Sequence, residues 1–157
     1  EEIPSLEEAL EYIFEETTIR TVWLDTKDVD VVPQSIELLE YYNDLALSTG
    51  RDLIIYLGLP ADDVYEKFLE QPNYQDVSSL CELSTDQVRE ADSEVWAPRW
   101  TLGLQTAEVQ QMHAEERLAF TWTLDDASYI EEYINQGEFD GILTNYPKIV
   151  SYYHYIR

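Results

Sequence analysis

Asp25-Thr26-Lys27 sets a carboxylate and an ammonium two residues apart. On a strand, alternation sends both charged side chains to one side and the Thr to the other. Such a pair can hold a hard cation and neutralise an anionic ligand, or it can be a surface ion pair contributing about 0–1 kcal/mol. Trp122 ends another apolar run, where it serves equally as a binding wall or as core. In Trp96-Ala97-Pro98-Arg99-Trp100, Arg99 is available to an anion, although bracing its own loop is the more economical role. His113 falls four residues after Val109, which predicts an inward-facing, hydrogen-bonded histidine. His154 lies in the aromatic run Tyr152-Tyr153-His154-Tyr155 and reads as a packing or surface residue. The two histidines are too far apart for a helical His-x-x-x-His zinc motif. Cys81 is the sole cysteine, which excludes an internal disulfide and a multi-cysteine metal site. Asp28-Val29-Asp30 lacks the Gly and distal Glu of a calcium loop and reads as a turn. Asp140 and Asn145 flank the last strand as turn braces.

The elements that must position these residues alternate along the chain. Ser5-Leu6-Glu7-Glu8 is a capping box, followed at helical spacing by Leu6, Ala9, Leu10, Ile13 and Phe14. The segment 19–24 is short, branched and apolar, as a buried strand requires. Pro33 and Gly50 bracket the next helix. Strands are then expected at 53–57, 79–82, 94–97, 118–122 and 141–144. Helices are expected at 61–71, 85–91, 106–117 and 127–136, with a last one from Pro147. Six apolar strands, each followed by a helix, imply an α/β fold with a parallel sheet buried on both faces and right-handed crossovers. An open doubly wound sheet and an arc of a (β/α)8 barrel both satisfy that pattern. No Gly-rich phosphate loop or Gly-x-Ser-x-Gly elbow interrupts it.

The 157 residues are expected to form a single domain. With 9 Lys plus Arg against 33 Asp plus Glu, the net charge is −24, which excludes a nucleic-acid or anionic-membrane surface. Hydrophobic and aromatic fractions of 45% and 13% exclude an acidic disordered tail. No apolar run reaches the roughly 18 to 20 residues of a membrane span, so a soluble protein is expected. The acidity suits a saline environment equally well as a plain acidic composition. Compartment and oligomeric state stay open.

Four segments in order resemble the later part of the glycerophosphodiester phosphodiesterase family: Ile3-Pro4-Ser5-Leu6-Glu7-Glu8-Ala9-Leu10, Val22-Trp23-Leu24-Asp25-Thr26-Lys27, Phe120-Thr121-Trp122-Thr123, and Phe139-Asp140-Gly141-Ile142-Leu143-Thr144-Asn145-Tyr146-Pro147. The resemblance implies a partial (β/α)8 barrel whose six strands are the third to eighth, the first two being absent. It implies metal-dependent hydrolysis of a small-molecule glycerophosphodiester to sn-glycerol 3-phosphate and an alcohol. Asp25, where the family more often has Glu, would bind a divalent cation, Mg²⁺ or Ca²⁺. Lys27 would bind the phosphate and Trp122 the organic part of the substrate. The family's His-Arg, Glu-x-Asp and His-Asp pairs have no counterpart in the right order here. The resemblance therefore implies a fragment, inactive alone, whose acid-base histidines belong to a longer parent, cytoplasmic or exported. A truncated, non-catalytic barrel used for binding is the alternative. A lyase or phospholipase on the same barrel is a third reading.

Overall fold

The computed structural model describes residues 3–156. The chain divides into two compact units, Glu1–Ser79 and Leu80–Arg157. In the first, helix α1 (Leu6–Glu16) precedes strand β1 (Thr21–Leu24), α2 (Val32–Thr49), β2 (Ile54–Leu59) and α3 (Asp62–Leu69). The boundary falls within β3 (Ser79–Cys81). The second unit continues with α4 (Thr85–Glu90), β4 (Val95–Trp96), α5 (Thr106–Ala114), β5 (Leu118–Thr121), α6 (Ala127–Gln136), β6 (Gly141–Ile142) and α7 (Pro147–Tyr155). The six predicted strands and their alternation with helices are thus present. No helix among the described residues is long and apolar enough to cross a membrane.

Local sequence explains the ends of the elements. The Ser5 hydroxyl accepts from the Glu8 N–H at 3.2 Å while the Glu8 carboxylate accepts from the Ser5 N–H at 2.8 Å, which closes the predicted capping box. Gly50 ends α2 at φ 71°, a left-handed conformation that its missing Cβ permits. Strand β1 begins later than expected because the carbonyls of Thr17 and Ile19 accept from the Arg51 guanidinium, at 2.9 and 2.7 Å, instead of joining a ladder. Helix α5 stops short of Arg117 because Glu116 turns to φ 61°. The segment 29–31, overlapping the turn expected at 28–30, winds into a short 3-10 helix whose start is capped by the Asp28 carboxylate.

All pairings are parallel. In the first unit β1 lies beside β2 in the register Thr21↔Ile54 to Leu24↔Leu57. In the second β3 pairs with β4, β4 with β5 and β5 with β6. Ile55 to Leu59 are buried without a break, as a strand covered on both faces requires. Phe68, Leu39 and Leu10 complete the first unit's interior, while Leu80, Val95, Met112 and Ala119 serve the second. Further along the second unit Leu124, Ile130, Tyr133 and Ile134 form a core cluster against which Ile149, Val150 and Tyr153 of α7 pack.

Strand β2 needs a substitute partner at its start. The Asn43 side chain on α2 donates from Nδ2 to the Ile55 carbonyl at 2.9 Å and accepts from the Ile55 N–H at 2.8 Å. Its amide makes the two bonds a neighbouring strand would make, which settles both backbone groups.

Candidate functional site

Strand β1 delivers Asp25 and Lys27 directly after its last residue. Leu24 is paired with Leu57, which puts Asp25 level with Gly58 of β2. Thr26 is buried and its hydroxyl donates to the Leu24 carbonyl at 3.3 Å, while Asp25 and Lys27 are both exposed. The expected alternation therefore holds past the strand end. The Lys27 ammonium lies 2.6 Å from the Asp25 carboxylate, with side chains 69% and 56% exposed. An exposed pair of this kind contributes about 0–1 kcal/mol, so Lys27 can exchange its carboxylate for a ligand anion at little cost.

Beneath the pair, Trp23 leans over β2. A Cβ on Gly58 would come within 2.5 Å of the Trp23 indole nitrogen and 2.7 Å of the Leu24 carbonyl oxygen. Only glycine leaves that space. The indole nitrogen is buried without a hydrogen-bond partner.

Whether these side chains fit a divalent cation can be judged from the donor set. Among the described residues no three His, Cys, Asp or Glu side chains come together as a metal cluster. Asp25 therefore belongs to no set of three such donors among the described residues. A carboxylate so placed suffices for Mg²⁺ only where waters and other groups fill the remaining positions.

Trp122 belongs to the second unit, where it pairs with Arg99 in a parallel bridge one residue past the end of β5. Its indole N–H donates to the Ala97 carbonyl at 2.7 Å, and its own carbonyl accepts from the Trp100 N–H at 3.1 Å. These bonds fix the ring. The Arg99 guanidinium lies over it, 4.9 Å from the centroid. The backbone of Arg99 thus joins the Trp122 segment, while its charged end makes no hydrogen bond or ion pair with the described residues.

At the same strand ends Asp125 ties β5 to β6, a role with no local signal in the residues around it. Its carboxylate accepts from the Asn145 side chain at 2.8 Å, the Asn145 N–H at 2.8 Å and the Thr144 hydroxyl at 3.0 Å. The Asn145 amide, then its backbone N–H, hold the Asp125 carboxyl below its ordinary range. A carboxylate lowered in the folded state adds stability above its unfolded pKa and loses it as pH falls through the folded one. Asp125→Asn is therefore expected to flatten part of the loss of urea-unfolding stability between neutral and acid pH. An unchanged slope would show that the clasp contributes nothing.

His113 is hydrogen-bonded as expected but exposed instead of inward-facing: Nε2 lies 2.9 Å from the Asp140 carboxylate, which also accepts from the Ala119 N–H at 2.8 Å. This cluster sits at the starts of β5 and β6, the end that in parallel α/β barrels serves stability. His154 stacks edge-on against Tyr155 at 5.7 Å. Cys81 is buried.

No protein-family model and no curated protein matches the sequence. Solved structures do match. A glycerophosphodiester phosphodiesterase from Parabacteroides distasonis superposes with a TM-score of 0.72 at 22% identity, over 98% of this chain and 65% of that one. An Oleispira antarctica phosphodiesterase in complex with the product sn-glycerol-3-phosphate gives 0.70 at 15% identity, over 96% of this chain and 60% of that one. The chain thus spans less than two thirds of the length of these structures. The likeness shows the fold: a partial (β/α)8 barrel of six parallel strands alternating with helices.

Proposed function

We propose that this chain is the third to eighth βα units of a metal-dependent glycerophosphodiester phosphodiesterase, which hydrolyses its substrate to sn-glycerol 3-phosphate and an alcohol. The observation that carries the reading is the Asp25–Lys27 pair, on one side of the chain at the C-terminal end of β1. Barrel enzymes place their chemistry at that end. The likeness to two phosphodiesterases, one solved with sn-glycerol-3-phosphate, supports it.

In this reading Asp25 is one ligand of a Mg²⁺ or Ca²⁺ ion, whose other protein ligands lie outside the described residues. When bound, the cation supplies charge neutralisation at the phosphoryl oxygens. Lys27 swaps its weak contact with Asp25 for the phosphate, contributing a fixed positive charge where negative charge develops. Trp122, its indole held by the Ala97 carbonyl, is the contact for the organic part of the substrate. The acid-base histidines come from a preceding segment of about two βα units, the difference from a whole barrel.

A polypeptide extending this chain N-terminally by its natural coding sequence is expected to release sn-glycerol 3-phosphate from glycerophosphoglycerol with Mg²⁺ or Ca²⁺ present. The 157 residues alone should give no turnover. Turnover by the short chain would overturn the fragment reading, and an inert extended chain would overturn the hydrolase.

A further inference from the structure

Five of the eight Lys and Arg residues described, namely Arg20, Lys27, Lys67, Arg89 and Arg117, pair with carboxylates. Arg51 is satisfied by backbone carbonyls. Arg99 and Lys148 have neither kind of partner among the described residues, in a chain with 33 acidic residues. What sets Arg99 apart from Lys148 is that its guanidinium lies over the Trp122 ring. That ring cannot swing away, because its indole N–H is bonded to Ala97 and the two residues are joined in a parallel bridge. Asp125, three residues after Trp122, is already engaged by Thr144 and Asn145.

A guanidinium over an aromatic face is held there by the ring quadrupole and still has an N–H edge to offer. That edge matches a phosphate or carboxylate in two-point geometry. The stack also has a negative consequence for recognition. A quaternary ammonium binds aromatic faces, and here a cation already covers that face of Trp122.

We propose that Arg99 and Trp122 form the subsite for the alcohol portion of the substrate, selecting alcohols that carry an anionic group and disfavouring choline. The proposal rests on the phosphodiesterase reading for the identity of the ligand, and on Arg99 for its sign. The indole N–H signal of Trp122, assigned by its loss in Trp122→Phe, is followed by NMR in the isotopically labelled 157-residue chain at constant ionic strength. The probes are inorganic phosphate, glycerophosphocholine and bis(glycerophospho)glycerol, whose alcohol carries a second phosphate.

The bis(glycerophospho)glycerol is expected to bind about tenfold more tightly than glycerophosphocholine, the scale of one charge-assisted contact. Arg99→Gln should erase that preference and Arg99→Lys should keep part of it. Equal preference in the native chain and Arg99→Gln, or tighter binding of the choline ester, overturns the subsite and leaves the phosphodiesterase reading standing. An Arg99-dependent response to phosphate with none to either diester keeps the anion site and counts against that reading. No response to any probe overturns the subsite outright.

Discussion

Lys27→Met is expected to lower kcat/KM for glycerophosphodiester hydrolysis by the extended enzyme about 100- to 1000-fold, the range for removing one positioned group that stabilises developing charge. Met keeps the apolar stem and removes the ammonium. Because Lys27 is largely exposed and its contact with Asp25 is an exposed ion pair, the denaturant midpoint should move little. Lys27→Arg should recover part of the loss, since the charge returns in a wider head. The loss should fall on kcat as well as KM, since charge developing in the transition state is what Lys27 would meet. Steady-state kinetics against glycerophosphoglycerol decides it: an unaltered kcat/KM removes Lys27 from the site.

Gly58→Val should give the largest stability effect of a single site-adjacent substitution, about 3 kcal/mol, at the upper end of overpacking costs. The cause is geometric. A Cβ at this position would press on the Leu24 carbonyl oxygen at 2.7 Å as well as on the Trp23 indole. A side chain can rotate away, but the carbonyl belongs to the strand and moves only with it. Leu24 directly precedes Asp25, so the strain passes into the candidate site. Urea unfolding at constant slope would measure the loss, and Gly58→Ala, smaller by two methyl groups, should show a reduced version. A Gly58→Val midpoint equal to the native one would mean that β1 and β2 are not so closely apposed.

The alternation of helices and strands was legible because burial writes period 3.6 or an unbroken apolar run into the sequence. Ile54 to Leu57 and the Leu38–Ala46 stripe carry that signal. Strand ends were less legible. Ile19 is apolar enough for a strand, but Arg51, over thirty residues away in sequence, takes its carbonyl. Thr144 reads as strand and instead donates to Asp125. His113 looked inward on a helical wheel, yet it lies exposed, bonded to Asp140 on another element. The charge pair Asp25-Lys27 was legible in full because its geometry is local and follows from alternation alone. The stacking of Arg99 on Trp122 was not, since it depends on two strand ends meeting in one register.

Asn43 has a dynamic consequence for β2. The Ile55 amide is held by a side chain of α2 and not by a strand, so its protection against hydrogen exchange belongs to the helix. Any motion that lifts the middle of α2 exposes this amide, whatever the state of the sheet around it. Exchange at Ile55 is therefore expected to follow local opening of α2. The strand paired with β1 thus carries, at Ile55, one amide whose protection reports on the helix and not on the sheet.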